Sequence, residues 1–500
     1  MFDKTKNVLV LLFILLLGGL TLTTLPSDDP DFGWHYKYGE YITNSKSVLR
    51  ENIYSHTLPN YHWSNSYWMS QTVMYLLFTN TGPLAASFLL SLLISSVVYF
   101  IFLREHGTLS KIMFGEVMFL LLASAIVSVR PFLFSTIFMI ILVWILLYRR
   151  RLIFLIPIVF LFWANMHPDF LLGLFVLGIY TLCSCLSIIT KKPTNIFSSN
   201  NTKKLARVLS LLLISIAATF INPYGYQLWV TLIKEMNGVT FGNIREVSPI
   251  KIYEDAGTVF TIYFLSAVIL ATSFIQKQKN TNWLFLCILF FFAMGSYAMY
   301  FYRIFFILGF FFLSKFIIET EKKVVKKISD STLFHIKRGF KAFSPILISG
   351  VFVIIFGAFL ENSEMTSRYS LKKKATSEEY PIEALKYIKK NKPKGNMFNT
   401  YEWGGYIIWN LPEYKTFIDG RMASWKLAEN EYMLNIYNSM HHQPNRNVEL
   451  VEHYFEFFDV NWVFVKKESG IAKYLTTKEK WTLDYEDNVT VIYSRNEKVN

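Results

Sequence analysis

The 500-residue chain has few charged residues and almost no cysteine. Asp, Glu, Lys and Arg make up 17% of it, against roughly a quarter in ordinary soluble domains. It is also too apolar for a disordered chain, which needs high net charge and few aromatic residues. Its three cysteines, Cys183, Cys185 and Cys287, all lie in apolar runs. The polar segments therefore have no disulfide framework and no thiolate metal site.

Long apolar runs dominate what remains. Hydrophobic residues form 53% of the chain, which includes 46 Phe, and the mean hydropathy is +0.32. A membrane-spanning helix needs about 20 mainly apolar residues. We predict an α-helical polytopic membrane protein with about 11 transmembrane helices. The predicted spans are 8–26, 83–103, 112–129, 132–148, 152–167, 170–189, 205–221, 257–275, 283–299, 302–318 and 344–360. The run 67–78 is too short to cross and is expected in the interface.

Lys and Arg indicate the orientation of these spans. They are concentrated in one alternating set of connections, which the positive-inside rule places in the cytoplasm. The N-terminus is then cytoplasmic, as a retained anchor, and the C-terminal region is extracytoplasmic in a multi-pass plasma-membrane protein. The net charge of +14 comes mainly from cytoplasmic loops, so it reflects topology and does not indicate nucleic-acid binding.

The first external loop, 27–82, opens with three carboxylates, Asp28, Asp29 and Asp31. Such a group favours a bound divalent cation such as Mg²⁺ or Mn²⁺. A partly desolvated carboxylate at the membrane boundary is also suited to act as a general base. The alternative is a simple acidic turn at Asp29-Pro30. His35 would share a helical face with Asp31.

An aromatic run follows the carboxylates in the sequence. Its members, Phe32, Trp34, Tyr36 and Tyr38, suit either an interfacial belt or the stacking of a sugar.

Other polar residues occur at predicted external ends of spans. Arg130 and Arg303 are single cations whose guanidinium fork matches phosphate oxygens, although both could instead snorkel to lipid headgroups. His167 and Asp169 are candidates for substrate contact, or for pairing with each other and capping the next helix. Because polar groups at such depths are costly unless they pair or line a wet cavity, we expect a cavity that opens to the exterior.

The composition becomes polar and mixed after residue 361. We therefore predict a transmembrane domain over 1–361, a linker over 362–380 and a small extracytoplasmic α/β domain over 381–500. Helices are expected at 381–390, 425–440 and 446–458, and strands at 397–398, 406–409, 416–418 and 460–465, with a hairpin of 481–485 and 489–494. Neither a nucleophile triad nor a phosphate loop is evident in the sequence there, so we expect a structural or gating role for this domain.

Several motifs, in order, resemble those of bacterial polytopic proteins related to GT-C glycosyltransferases. The opening Asp29-Pro30-Asp31-Phe32-Gly33-Trp34-His35 is similar to their DPD-x-x-WH element. Further matching elements are Arg130-Pro131, Asn165-Met166-His167, Asn222–Gly225, Arg303, Tyr401–Tyr406 and Asp419-Gly420-Arg421. The similarity to protein mannosyltransferases and oligosaccharyltransferases is more distant.

The resemblance implies a polyprenyl-phosphate-linked sugar donor used on the external face. It implies a carboxylate, Asp31 first and Asp29 second, as base or metal ligand, and Arg130 or Arg303 as ligand of the donor phosphate. This chain departs from the pattern in two places. Ser66-Tyr67-Trp68 stands where relatives have His-Glu-Trp, and Pro168-Asp169 stands where they tend to have glycines.

The leading hypothesis is a hexosyl- or pentosyltransferase acting on a glycan, lipid or protein acceptor. A polysaccharide polymerase or ligase would instead use Arg130, His167 and Arg303. A transporter of a lipid-linked glycan and a non-catalytic assembly protein for cell-surface glycans also remain open.

Overall fold

The computed structural model describes residues 2–24, 29–125, 129–191, 199–238, 248–249, 256–276, 281–329, 380–429 and 431–496. Two compact units account for the chain. The first, the helical unit, comprises Met1–Thr24, Leu84–Asn222 and Phe241–Ser367. The second, the mixed unit, comprises Leu25–Pro83, Pro223–Thr240 and Arg368–Asn500.

Long apolar helices form the helical unit. In chain order they are α1 (Phe2–Leu22), α4 (Pro83–Val98, extended by a π-turn Tyr99–Leu103), α5 (Thr108–Ala125), α6 (Phe132–Tyr148), α7 (Ile156–Met166), α8 (Phe170–Lys191), α9 (Ser199–Ala218), α11 (Ala256–Ile275), α12 (Asn282–Tyr297) and α13 (Tyr300–Ser329). The three helices missing from this numbering belong to the mixed unit. They are α2 (Phe32–Ser45), α3 (Trp68–Thr81) and α10 (Gln227–Gly238).

The apolar helices identify a membrane protein. Among the described residues three helices are long and apolar enough to cross a bilayer, at Pro83–Leu103, Phe170–Thr190 and Tyr300–Lys323. Four shorter apolar helices lie at Asn7–Leu22, Phe132–Tyr148, Ile262–Ile275 and Asn282–Tyr297. The total of about 11 spans and the orientation stay predictions, and the span expected at 344–360 lies outside the described residues.

The apolar run 283–318 forms two helices, as its length predicts. Helix α12 ends at Tyr297, and Ala298 is extended, with φ −142° and ψ 120°. Helix α13 then begins at Tyr300. A Cβ on Gly295 would lie 2.9 Å from the Tyr302 ring. The absence of a side chain at Gly295 therefore lets the two helices pack closely beside the break.

The mixed unit combines short helices with one four-stranded sheet. Its helices are α2 (Phe32–Ser45), α3 (Trp68–Thr81), α10 (Gln227–Gly238), α14 (Ile382–Asn391), α15 (Gly404–Asn410), α16 (Met433–His442), α17 (Val448–Phe457) and α18 (Gly470–Leu475). Its strands are β1 (Asn396–Asn399), β2 (Lys426–Ala428), β3 (Glu431–Tyr432), β4 (Val460–Lys466), β5 (Trp481–Glu486) and β6 (Thr490–Arg495).

The sheet has the strand order β1-β4-β6-β5. Strands β1 and β4 are parallel, with Phe398 opposite Val463, whereas β4–β6 and β6–β5 are antiparallel. Trp462 and Phe464 of β4 pack with Ile407 and Leu385 in a buried core. Strands β2 and β3 form a separate antiparallel ribbon.

Several predicted elements of this region are confirmed and others are wrong. Helices α14 and α17, strands β1 and β4 and the β5–β6 hairpin agree with prediction. Residues 406–409, predicted as a strand, belong to helix α15. Residues 425–440, predicted as one helix, contain β2 and β3 before α16 begins. Aromatic and β-branched content misled the prediction for 406–409, because packing overrides local strand propensity.

The first external loop groups with the C-terminal residues. The His56 Nε2 lies 2.9 Å from the Met397 carbonyl oxygen, and the Thr57 hydroxyl donates to the Phe417 carbonyl at 2.8 Å. A bridge between Ser55 and Thr416 continues this contact. The sequence assigned loop 27–82 to the transmembrane domain, whereas the structure places residues 25–83 in the mixed unit. The boundary at 361 and the linker 362–380 stay predictions, since residues 330–379 are not described.

Candidate functional site

The acidic motif lies directly before α2 in the mixed unit. The Asp29 Oδ1 accepts the Asp31 backbone N–H at 2.8 Å. Asp31 is the N-cap residue of α2, and its Oδ1 accepts a hydrogen bond from Trp34 Nε1 at 3.0 Å. Asp29 is buried and Asp31 is half-buried. A carboxylate at a helix N-terminus is stabilised by the helix dipole, so the motif holds two oriented anions at one helix end. Asp28 lies outside the described residues.

Two glycines bring C-terminal backbone against this motif. A Cβ on Gly420 would lie 1.9 Å from Asp31 Oδ1, and a Cβ on Gly405 would lie 2.0 Å from the Pro30 carbonyl oxygen. Real Cβ atoms essentially never come within 3.0 Å of such atoms. Glycine is therefore needed at both positions for this close approach.

His35 is buried beside the acidic motif and held through its Nδ1. Gln71 Nε2 lies 3.0 Å from His35 Nδ1, and Asn65 Nδ2 donates to Gln71 Oε1 at 2.7 Å. Because the Asn65 amide donates to the Gln71 oxygen, the Gln71 nitrogen is the donor to His35. The His35 ring also packs on Trp34, with 3.6 Å between centroids.

The aromatic run after Asp31 belongs largely to the protein core. Phe32, Trp34 and Tyr38 are only 1%, 5% and 1% exposed, while Tyr36 is half-buried. Trp34 and Tyr38 both pack edge-on against Trp63. The buried aromatic residues of this run therefore form a packed core next to the acidic motif. Neither role predicted for the run, an interfacial belt or a surface that stacks on a sugar, applies to its buried members.

The mixed unit also contains a buried ion pair between Arg421 and Asp419, whose role the sequence did not reveal. We call this pair saturated because each guanidinium nitrogen of the arginine has a hydrogen-bond acceptor. Arg421 Nε and Nη2 donate to the two carboxylate oxygens of Asp419 at 2.7 and 2.6 Å, and Nη1 donates to the Tyr38 hydroxyl at 2.8 Å. Both side chains of the pair are fully buried. Burial would lower the pKa of Arg421, but Asp419 and Tyr38 together raise it. The Asp-Gly-Arg spacing was the only sequence signal for this pair.

A second buried cluster forms in the helical unit around Asp169. The Arg303 Nη2 donates to Asp169 Oδ2 at 2.6 Å, and the Tyr300 hydroxyl donates to Asp169 Oδ1. The His167 Nδ1 accepts the Asp169 backbone N–H at 3.2 Å. Arg303 also lies over the Phe132 ring, 3.6 Å from its centroid. The structure thus brings together three of the residues predicted from sequence, His167, Asp169 and Arg303.

The Arg303 guanidinium keeps one donor unused. Its side chain is 3% exposed, and Nη1 has no hydrogen-bond partner among the residues that the structure describes. An unpaired buried donor costs about 1–3 kcal/mol, so an oxyanion acceptor at this nitrogen would be stabilising. Arg130 is half-buried in the turn that precedes α6, two residues before Phe132. The external cavity expected here stays a prediction.

The residues of the acidic motif fit a divalent cation of the magnesium type. Mg²⁺ uses one or two protein carboxylates and completes its octahedral shell with water and substrate phosphate. Asp29 and Asp31, separated by one residue, supply two such carboxylates. Among the described residues no group of three or more His, Cys, Asp or Glu side chains is placed to hold a metal. The protein's share of such a site would come from this pair.

Three solved structures have a fold similar to that of this chain. The oligosaccharyltransferase of Archaeoglobus fulgidus, tethered with an acceptor peptide through a disulfide bond, matches with a TM-score of 0.59 and 11% identity, over 99% of this chain and 74% of that one. Archaeal oligosaccharyltransferase AglB from Archaeoglobus fulgidus, in complex with an inhibitory peptide and a dolichol-phosphate, gives 0.57 and 10%, over 94% and 70%. The apo crystal form gives 0.58 and 10%, over 100% and 75%.

At 10–11% identity these similarities establish the fold. The chain shares the fold of these oligosaccharyltransferase structures over nearly its whole length. No protein-family profile matches the sequence, and no curated protein sequence matches it either.

Proposed function

We propose that the chain is a membrane glycosyltransferase that moves a sugar from a polyprenyl-phosphate-linked donor to an acceptor hydroxyl on the extracytoplasmic face. The observation that carries the proposal is the setting of Asp31. Its carboxylate is oriented at a helix N-terminus by the Trp34 indole and lies against Gly420. The oligosaccharyltransferase-like fold supports the same reaction class, because one of its solved neighbours holds a dolichol-phosphate.

The reaction would be a single displacement at the anomeric carbon. Asp31, with Asp29 as the second candidate, accepts the proton of the acceptor hydroxyl as its oxygen bonds to that carbon. The bond between the anomeric carbon and the phosphate oxygen breaks, and the electron pair leaves with the lipid phosphate. The configuration of the sugar inverts. A bound divalent cation would supply Lewis-acid stabilisation of negative charge.

Arg303 is the proposed ligand of the donor phosphate, with Arg130 as the second candidate. An oxyanion that accepts from Arg303 Nη1 would satisfy the unused buried donor and gain a charge-assisted hydrogen bond. Asp169 then acts as a positioning residue, because it orients the guanidinium through Nη2. His167 packs parallel to the Phe132 ring, with 5.4 Å between centroids, and Arg303 lies over the same ring.

Binding and turnover of a short-chain polyprenyl-phosphate sugar by the purified full-length protein test the proposal. The wild type, Asp31→Asn and Arg303→Ala are compared with and without divalent cation. We expect Asp31→Asn to bind the donor but to lose turnover by about 10²–10⁴-fold, and Arg303→Ala to lose saturable binding. Asp484→Asn, an exposed carboxylate on β5, is the control and should retain both. Wild-type turnover in Asp31→Asn would refute the assignment.

A second candidate function is a polysaccharide polymerase or ligase. The observation in its favour is that His167 and Arg303 both meet Asp169 in the helical unit. Such an enzyme would not require the acidic motif. Glycan transfer that survives both metal chelation and the double substitution of Asp29 and Asp31 by Asn would favour it over the first proposal.

A further inference from the structure

Helix α10 in the mixed unit has three distinct faces. One face is buried: Leu228 and Leu232 are 1% and 5% exposed. On the same side, Glu235 Oε1 accepts a hydrogen bond from Trp63 Nε1 at 2.9 Å. Just before the helix begins, the Tyr224 hydroxyl donates a hydrogen bond to the Leu49 carbonyl oxygen at 2.8 Å, which also holds this face against the unit.

A second face of α10 and its entry turn exposes four large apolar or aromatic side chains. Tyr226, Val230, Ile233 and Met236 are 67%, 43%, 54% and 67% exposed. At about 100° per residue these four positions fall within one third of the helix circumference. Scattered exposed apolar residues are ordinary, but a continuous stripe of this kind marks an interaction surface. Gln227 and Lys234, both exposed, form the third face, beside the apolar one.

Chain connectivity indicates what covers the apolar stripe. Exposed apolar side chains also occur in the last turns of α9 and in the connection to α10, with Leu213 at 65%, Ile214 at 55% and Ile221 at 62%. Only eight residues separate the end of α9 from the start of α10. Because the predicted span 205–221 leads into α10, we expect lipid to cover these side chains. A tyrosine and a lysine at the edges of the stripe are typical of an interfacial helix.

We propose that α10 lies in the membrane–water interface, with its Tyr226–Met236 stripe in the lipid of the bilayer surface. This inference goes beyond the proposed function and holds whether or not the chain transfers a sugar. A consequence that rests on the proposed function concerns Asp31. Trp63 packs edge-on against Trp34 with centroids 6.1 Å apart, and Trp34 donates to Asp31. Seating α10 in the interface would thus fix the depth of the candidate base.

Helix α17 is a matched control within the same unit. It also exposes two large apolar side chains, Val448 at 37% and Phe457 at 60%. They are nine positions apart in the chain, which at about 100° per residue places them on opposite sides of the helix. They form no stripe, and no predicted span adjoins α17 in the chain.

Lipid photolabelling of the full-length protein tests the proposal. The protein is reconstituted in nanodiscs of phosphatidylcholine that contains a fraction with a diazirine in its acyl chain, irradiated and digested, and the adducts are located by mass spectrometry. We expect adducts on residues 226–236 at a level similar to those on the span Pro83–Leu103, and none above background on α17. The double variant Val230→Asp/Ile233→Asp should lower α10 labelling about fivefold or more, whereas Phe457→Asp should leave it unchanged.

Two results would overturn the proposal. Labelling of Pro83–Leu103 without labelling of α10 would show that lipid does not reach the stripe. Protection of α10 together with cross-links between α10 helices of two chains would show that a second copy covers it. Labelling is independent of turnover, so loss of the transferase assignment would leave this result interpretable.

Discussion

Among the residues that the structure describes, each unit contains one buried arginine–aspartate pair, and the two pairs have the same shortest contact of 2.6 Å. In the mixed unit Arg421 uses Nε, Nη1 and Nη2, so every guanidinium nitrogen has an acceptor. In the helical unit Arg303 meets Asp169 through Nη2 alone, and Nη1 has no acceptor among the described residues. A saturated pair is complete without a ligand, whereas a pair with an unused donor carries a cost that a ligand can remove. We therefore interpret Arg421 as structural and Arg303 as functional.

The largest effect is expected at the saturated pair. Arg421→Met leaves Asp419 charged and buried, which should lower the free energy of unfolding of the mixed unit by about 3–5 kcal/mol. Limited proteolysis of residues 380–496 during a thermal ramp measures the change. Arg495→Gln, which removes a partly exposed contact of 3.6 Å to Glu456, is the control and should change stability by less than about 1 kcal/mol. Equal effects of the two substitutions would contradict the structural role.

A buried histidine of the mixed unit offers a contrast with Arg303. Both ring nitrogens of His441 have no partner among the described residues, and burial, followed by His442 and Lys466, lowers the pKa of His441 to about 3. Unfolded histidine titrates near 6.5. As pH falls from about 6.5 towards 3, the unfolded chain binds the proton and the folded chain does not, so stability decreases.

His441→Phe should remove this pH dependence. The stability of the variant should fall less steeply with acidification, by about 1.4 kcal/mol per pH unit below pH 6. The same proteolysis assay, repeated between pH 7 and 4.5, measures the slope. Exposed His453 provides the control, and His453→Phe should keep the wild-type slope. A parallel loss of slope in both variants would rule out His441 as its source.

The effect of the unused Arg303 nitrogen can be tested separately from the effect of the positive charge. Arg303→Lys keeps a cation for Asp169 but lacks the second guanidinium nitrogen. We expect the affinity for the donor phosphate to fall about tenfold to a hundredfold, since a hydrogen bond to a charged group contributes about 1.5–3 kcal/mol. Thermal stability should change little. Titration with a short-chain polyprenyl phosphate measures the affinity, and an unchanged affinity in Arg303→Lys would place the phosphate elsewhere.

The last comparison concerns glycine packing in the two units. Gly420→Ala places a methyl group against Asp31 Oδ1, so the carboxylate must turn away from Trp34. We expect a loss of about 1–3 kcal/mol of stability together with a loss of turnover. Gly178→Ala in α8 is the matched control, because a Cβ there meets nothing within 4 Å. It should be neutral or slightly stabilising, and full activity in Gly420→Ala would argue against Asp31 as the base.

Much of the fold could be predicted from residues close together in the chain. The apolar runs predict the helices of the helical unit, and the alternation around Glu486-Asp487-Asn488 predicts the β5–β6 hairpin. Residues 406–409 were predicted wrongly because their aromatic and β-branched side chains favour a strand in isolation. Packing of Ile407 in a buried core, next to the glycines at 404 and 405, determines the helix instead.

The sequence predicted some residues of the candidate site but not the contacts between them. Asp29 and Asp31 could be singled out because three carboxylates in four residues are a local anomaly, and their catalytic role stays a proposal. Nothing local indicates that Gly420 approaches Asp31, or that the Tyr38 hydroxyl accepts a hydrogen bond from Arg421, which is 383 residues away. The sequence analysis selected three residues of the second cluster separately, His167, Asp169 and Arg303. Their spacing in the chain could not predict that all three are in contact.

The sequence alone determined that this chain is a membrane protein with an acidic motif in its first long loop, because hydropathy and charge density are properties of short segments. Only the tertiary structure decided which arginine is saturated and which retains a donor. The Arg303–Asp169 contact spans 134 residues and the Arg421–Tyr38 contact spans 383. Whether every donor of an arginine finds an acceptor depends on how the fold brings distant segments together. The periodicity of the sequence does not predict those long-range contacts.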